Sequence, residues 1–248
     1  MAGGEGPATA HSDRRANRPF TPTPSPSRRA SAIRGGVDRL DSTDRPFAIC
    51  LSALAGYVDA IGFLLTGGFF VSFMSGNTTR LGVGLGAMSG EAAIAARLIV
   101  MFVGGVAIGT IIGRALGAWR RPVLLTIIAL LIAIAAWLGN GVQPGLAIAL
   151  VALAMGMENT VLGDQDGAVG ITYMTGTLVK IGRGFAGAIS GGPAMGWAPH
   201  LLLWTGLMSG AWIGAALYFR LGLMSLWFAA VAMMALAVAS LFVRVRPA

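Results

Sequence analysis

Four ionisable side chains in the apolar part of the chain are candidates for chemistry: Asp59, Arg80, Glu158 and Lys180. Ionisable groups within long apolar stretches are costly and normally face a protein interior. Asp59 and Glu158 could each bind a proton or cation, or each could neutralise a nearby base and hold the fold together. If they pair, we expect Asp59 to meet Arg80 and Glu158 to meet Lys180.

Two polar runs accompany these charges. The first is Ser75-Gly76-Asn77-Thr78-Thr79-Arg80, and the second is Thr175-Gly176-Thr177-Leu178-Val179-Lys180. Hydroxyl and amide groups beside a glycine can present side-chain and backbone groups to a ligand, or can hydrogen-bond between helices as structural contacts. The candidate polar path therefore comprises Asp59, Ser75, Asn77, Arg80, Glu158, Asn159, Thr175, Thr177 and Lys180.

These motifs belong to an internal repeat with an offset of 100 residues. Gly56-Tyr57-Val58-Asp59 aligns with Gly156-Met157-Glu158-Asn159, and Phe73-Met74-Ser75-Gly76-Asn77 aligns with Tyr173-Met174-Thr175-Gly176-Thr177. In apolar chains built from two repeats, ligand sites lie where the repeats face each other. The repeat predicts that the polar runs meet in the folded protein.

The composition indicates a membrane protein. Of the 248 residues, 55% are apolar and 11% are charged, whereas a soluble domain has about 25% charged residues. The mean hydropathy is +0.74. Several apolar runs approach the roughly 20 residues that span a bilayer. The lipid bilayer is therefore the expected partner.

Six strongly apolar segments are predicted to span the membrane, at 47–67, 93–118, 122–140, 145–163, 199–219 and 223–243. Two weaker segments, 69–88 and 169–190, are rich in Gly, Ser and Thr. If the weak segments also cross, there are eight spans and the halves are parallel. If they do not, there are six spans and the second half is inverted.

The positive-inside rule favours six spans. Residues 1–45 contain eight arginines and place the N-terminus inside. With six spans, Arg120, Arg121 and the C-terminal Arg244 and Arg246 are also inside. We therefore expect a multi-pass inner-membrane protein with both termini cytoplasmic. Its weak segments become re-entrant or broken helices buried within protein.

The predicted architecture is an all-α transmembrane bundle of two inverted three-span repeats, each with an additional weak helix. Residues 1–45 form a basic tail that is too poor in apolar residues to build a core and is expected to be disordered. Residues 46–144 form the first repeat and residues 145–248 form the second.

Glycines recur every four residues in two matching spans. They are Gly105, Gly109, Gly113 and Gly117 in the first, and Gly206, Gly210 and Gly214 in the second. Such stripes let helices approach closely. They predict packing within the fold or between protomers of a homo-oligomer, and no ligand site.

Other classes of function find little support. Neither a nucleophile–base pair nor a metal-ligand cluster is visible, so we expect no enzyme, no metal and no cofactor. Cys50 is the single cysteine, and His11 and His200 lack ligand spacing. The net charge of +8 is accounted for by the tail and loops and does not indicate nucleic acid.

Three spaced motifs resemble a bacterial membrane-protein family. Tyr57-Val58-Asp59-Ala60-Ile61-Gly62-Phe63, Phe70-Val71-Ser72-Phe73-Met74-Ser75-Gly76-Asn77 and Tyr173-Met174-Thr175-Gly176-Thr177-Leu178 are similar to the YoaK family, also called domain of unknown function 1275. The resemblance covers about residues 46–245. It implies a six-span membrane protein and supplies no substrate.

Two functions are compatible with these features. The first is a small-solute transporter in which Asp59 couples transport, the polar runs line the path, and Arg80 and Lys180 counter charge. The alternative is a non-transporting scaffold or sensor, whose glycine stripes and basic tail bind partner proteins or anionic lipid.

Overall fold

The computed structural model describes residue 3 and residues 44–139, 143–162, 172 and 174–244. The tail predicted to be disordered lies outside these residues, except for residue 3 and for Asp44 and Arg45. Those two residues belong to the first helix.

The described residues are helical, with short turns and no strand. The α-helices are α1 (Asp44–Thr66), α2 (Met74–Gly86), α3 (Glu91–Leu116), α4 (Arg120–Gly139), α5 (Pro144–Glu158), α6 (Met174–Ile189), α7 (Ala198–Leu221) and α8 (Ser225–Arg244). Short 3-10 turns, Gly117–Trp119 and Gly222–Met224, join α3 to α4 and α7 to α8. The all-α prediction is confirmed.

Within the described residues, three helical stretches are long and apolar enough to cross a membrane: Asp44–Thr66, Glu91–Gly139 and Ala198–Phe242. The second and third, 49 and 45 residues long, each contain two helices joined by a 3-10 turn. Pro144–Glu158 is a shorter apolar helix. The helix within the predicted segment 145–163 ends early. Residues Asn159 to Leu162 form turns, in which the hydrogen bonds from Thr160 to Met157 and from Val161 to Glu158 join residues three apart and not four apart as in an α-helix.

Helix α1 packs along α7, and the two helices run in the same direction. Their contacts advance together, with Ile49 against Gly206, Ala53 against Gly210 and Tyr57 against Gly214. A Cβ at Gly210 would overlap the carbonyl oxygen of Ala53. These glycines therefore allow the two backbones to touch.

Helix α3 packs along α5 in the same manner. Gly105 lies against Leu153, and Gly109 lies against Met157, so this pair is also parallel. Gly113 lies against the side chain of Arg120, and Gly117 ends α3 with a φ of 50°.

Helix α4 lies between α5 and α8. Its side chains Leu124, Leu125, Ile128 and Ile132 are fully buried. The start of α4 contacts the start of α1, where Arg121 pairs with Asp44. At the other end, Gly139 of α4 lies beside Leu223, in the turn that follows α7.

Candidate functional site

The chain reverses direction at the end of α1. Gly67 and Gly68 have φ values of 69° and 116°, a region that side chains rarely adopt. The Thr66 hydroxyl accepts a 2.9 Å hydrogen bond from the Phe69 N–H and closes the turn. Residues 67–73 then run back beside α1 before α2 begins at Met74.

Asp59 fixes the depth to which this segment returns. Its Oδ1 accepts hydrogen bonds from the backbone N–H groups of Val71 and Ser72, each 2.8 Å long. Asp59 lies seven residues before Thr66, or about 10 Å along the helix at 1.5 Å per residue. Helix α2 therefore starts about two helical turns inside the bundle.

Asn77 holds the same segment from the side of α2. Its Oδ1 accepts the Phe70 N–H at 2.9 Å, and its Nδ2 donates to the Phe70 carbonyl at 2.6 Å. The side chain is fully buried. Asn77 thus satisfies both backbone groups of a residue that belongs to no helix or strand.

An equivalent contact occurs in the second half of the chain. The Thr172 hydroxyl donates a 3.2 Å hydrogen bond to Oδ1 of Asn159, and Nδ2 of Asn159 donates to the Met155 carbonyl at 2.9 Å. Thr172 is the repeat counterpart of Ser72, as Asn159 is of Asp59. Tyr173, which the repeat aligns with Phe73, lies outside the described residues.

Two neighbouring cavities adjoin these contacts. One, of about 340 Å³, has walls from the starts of both short helices, α2 and α6; its lining is Ser72, Phe73, Met74, Ser75, Phe102, Asn159, Thr172, Met174 and Thr175. The other, of about 410 Å³, lies between α1 and α7 and is lined by residues that include Asp59, Phe63, Phe70, Ser72, Phe73, Thr172 and Met174. The cavities share Ser72, Phe73, Thr172 and Met174.

Three phenylalanines form one wall of the larger cavity. The ring centroids of Phe63 and Phe70 are 4.9 Å apart, and those of Phe70 and Phe73 are 5.2 Å apart. Gly76 lies against this wall, where a Cβ would be 2.8 Å from Phe73 and 2.9 Å from Phe70. The glycine of the Ser-Gly-Asn motif therefore provides space for the aromatic rings.

The predicted ion pair between Asp59 and Arg80 is wrong. Nη1 of Arg80 lies 3.8 Å from Oε2 of Glu91, at the start of α3. The guanidinium of Arg80 stacks over the Phe69 ring, with Cζ 4.6 Å from the ring centroid. Asp59 instead accepts hydrogen bonds from the backbone N–H groups of Val71 and Ser72. Arg80 holds the outer part of α2 in place.

The predicted pair between Glu158 and Lys180 is also wrong. Glu158 is fully buried, and neither carboxylate oxygen has a hydrogen-bond partner among the described residues. Helix α5, which carries Glu158, contacts α1, which carries Asp59.

The predicted site residues differ in what they contact. Ser75, Asn159 and Thr175 line the smaller cavity, and Asp59 lines the larger. Asn77 and Arg80 stabilise the α2 segment, and Thr177 is buried in α6. Lys180 also lies in α6.

Sequence reasoning missed the aromatic wall and Thr172. Phe63, Phe70 and Phe73 occur in the motifs that carry the family resemblance, and the chain reversal at Gly67-Gly68 brings their rings together. Thr172 could have been found, because it aligns with Ser72 across the repeat. Within the described part of the chain, no three His, Cys, Asp or Glu residues cluster as metal ligands.

The apolar helices and the polar groups buried between them define the class of a helical membrane protein. The chain belongs to the DUF1275 family of proteins of unknown function, whose family model matches residues 47–239. It is similar to a UPF0700 transmembrane protein of Rhizobium meliloti (strain 1021), with 38% identity over 206 residues, which cover 82% of this chain and 88% of the relative. No solved structure matches the chain. The family and the transmembrane character implied by the resemblance are confirmed.

Proposed function

We propose that this protein is a small-solute transporter whose binding site lies between two inverted halves. The observation that carries the proposal is the cavity of about 340 Å³ where the starts of α2 and α6 meet. Secondary transporters bind solutes near the bilayer midplane, at the interface between repeats, beside the ends of discontinuous helices.

The length of α2 supports a re-entrant segment. Its 13 residues extend about 20 Å, which is shorter than the roughly 30 Å hydrocarbon core. Non-helical backbone at membrane depth is tolerated where it is buried in protein or lines a cavity. Residues 70–73 meet both conditions, since Asp59 and Asn77 bind their backbone and Phe70 and Phe73 line the larger cavity.

Contacts at the helix ends support six spans. The pair between Asp44 and Arg121 puts the starts of α1 and α4 on one side of the membrane. Helix α3 alone must then cross between the end of α1 and the start of α4, so α2 enters and leaves on the same side. The contact between Gly139 and Leu223 puts the ends of α4 and α7 together on the opposite side, as six spans require.

Reciprocal contacts support a pseudo-two-fold relation between the halves. Helix α1 of the first half packs on α7 of the second, and α5 of the second packs on α3 of the first. Asp59 binds Ser72 as Asn159 binds Thr172. We place both termini in the cytoplasm on the positive charge of the tail, and the protein in the bacterial inner membrane on its similarity to a Rhizobium meliloti transmembrane protein.

The function can be tested in a strain that lacks the gene for this protein, by comparing its metabolite content and toxin resistance with the parent. We expect the strain without the gene to differ from the parent in metabolite content or toxin resistance. Wild-type protein and Glu91→Gln should return that property to the parental level, and Asp59→Asn should not. Glu91 is the matched control, because it is an exposed acid outside both cavities.

A second variant separates a transporter from a scaffold. A chain without residues 1–43 retains all the helices described and should restore the phenotype. Loss of function on tail removal, together with full function of Asp59→Asn, would favour the scaffold or sensor instead.

A further inference from the structure

The larger cavity combines one acidic group with an aromatic wall. Asp59 lies beside Phe63, Phe70 and Phe73, and the other lining side chains are apolar apart from Ser72 and Thr172. Its volume of about 410 Å³ falls in the range of about 300–1,000 Å³ for small-molecule sites. A ligand that fits must therefore be largely apolar and complement one carboxylate.

The charges around the two cavities select the sign of that ligand. Among the described residues, no Lys, Arg or His lines either cavity. Arg80 lines neither cavity, and its guanidinium stacks over the Phe69 ring. An anion in the larger cavity would meet the carboxyl group of Asp59, whereas a cation would be attracted by it.

The aromatic wall favours the same sign. The face of an aromatic ring carries negative potential and attracts organic cations, and aromatic cages bind quaternary ammonium groups in this way. The rings are held in place by contacts with one another and with Gly76, and Asn77 fixes the backbone of Phe70. The wall is therefore formed before a ligand arrives.

We propose that this cavity binds organic cations with an apolar body, with Asp59 as the counter-ion and Phe63, Phe70 and Phe73 as the cation–π wall. The proposal rests on the transporter function above and names its substrate class. The carboxylate of Asp59 attracts the charge of the ligand while its Oδ1 keeps the bonds to Val71 and Ser72.

The test is the binding of radiolabelled tetraphenylphosphonium to the purified full-length protein. Tetraphenylborate has the same shape and the opposite charge, so its own binding, measured in a separate assay, serves as the matched control. We expect tetraphenylphosphonium to bind at least tenfold more tightly than tetraphenylborate. Absence of tetraphenylphosphonium binding, or tighter binding of tetraphenylborate, would overturn the proposal.

Variants assign the site. Asp59→Asn keeps an acceptor for the two N–H groups and should weaken binding at least tenfold, whereas Glu91→Gln should leave it unchanged. Phe70→Leu should weaken binding roughly two- to fivefold, as expected for the loss of one cation–π contact. Phe219→Leu, at an exposed ring of α7 outside the cavity, is its control. Equal binding by wild type, Asp59→Asn and Phe70→Leu would refute the site, and the leucine variant decides if the asparagine variant does not fold.

Binding and transport fail separately. Tetraphenylphosphonium binding without accumulation of any organic cation in proteoliposomes would keep the site and contradict the transporter. Transport of other solutes without tetraphenylphosphonium binding would keep the transporter and contradict the substrate class.

Discussion

Arg121 donates two hydrogen bonds to the carboxylate of Asp44, from Nη1 to Oδ1 and from Nη2 to Oδ2, each 2.7 Å long. The pair joins the first residue of α1 to the second residue of α4. Two parallel bonds of this kind also fix relative orientation. Both helices therefore begin at the same end of the bundle, in agreement with the six spans proposed above.

The six-span arrangement predicts where cysteines react in a Cys50→Ser background. Trp119→Cys lies between α3 and α4, and Met224→Cys lies between α7 and α8. We expect a membrane-impermeant maleimide to label these two positions from opposite faces. Ser89→Cys, which follows α2, should react from the same face as Met224→Cys.

Eight spans would give the reverse pattern. Trp119→Cys and Met224→Cys would then react from one face, and Ser89→Cys would react from the other. That outcome would also contradict the inverted relation between the two halves, because the halves would be parallel.

Replacement of Asp59 should affect stability according to its hydrogen bonds. Asp59→Ala leaves the N–H groups of Val71 and Ser72 without their acceptor, and an unsatisfied buried donor costs about 1–3 kcal/mol. Asp59→Asn retains an acceptor oxygen and should lose less. Thermal unfolding of the purified protein checks the order, and equal Tm values for Asp59→Ala and wild type would contradict it.

The glycine contacts provide a matched pair on adjacent residues of α3. A Cβ at Gly105 would overlap the carbonyl oxygen of Leu153, whereas a Cβ at Gly104 would lie 3.8 Å from the end of the Leu153 side chain. Gly105→Ala must separate α3 from α5, and overpacking costs about 1–3 kcal/mol. Gly104→Ala should leave the Tm nearly unchanged. Similar effects of the two substitutions would show that the close backbone contact does not limit stability.

Glu158 should be replaceable with a gain in stability. Its two oxygens are buried without hydrogen-bond partners among the described residues, and such a group costs about 1–3 kcal/mol. We expect Glu158→Met to raise the Tm and Glu91→Met, at an exposed position, to change it little. A lower Tm for Glu158→Met would mean that the carboxyl group makes a stabilising contact.

Much of the helical frame is predictable from the sequence because it depends on local composition. The apolar runs locate α1, α3, α4, α7 and α8 to within about three residues, which is the usual uncertainty of helix ends. Glycine spacing identifies the helix faces that touch. Apolar runs and glycine spacing can both be read from one segment at a time.

The partners of the charged residues could not be predicted in this way. Asp59 and Arg80 are complementary in charge, but they do not pair. The chain reversal at Gly67-Gly68 brings the backbone N–H groups of Val71 and Ser72 to Asp59, and Arg80 pairs with Glu91 of α3. Hydropathy and repeat alignment contain no information about backbone hydrogen bonds. Hydropathy and repeat alignment do not indicate the aromatic wall either, because it forms only when residues 67–73 fold back against α1.

In a transporter of this architecture, the starts of α2 and α6 line a solute path that opens in turn to both faces of the membrane. Ser75→Cys and Thr175→Cys in the Cys50→Ser background test it most directly, with Ala129→Cys in the buried core of α4 as the unreactive control. A small membrane-impermeant thiol reagent is applied to right-side-out and inside-out vesicles. We predict that Ser75→Cys and Thr175→Cys react in both preparations and that Ala129→Cys reacts in neither. Reaction of both cysteines from one face only, or from neither, would contradict a transport path at this site.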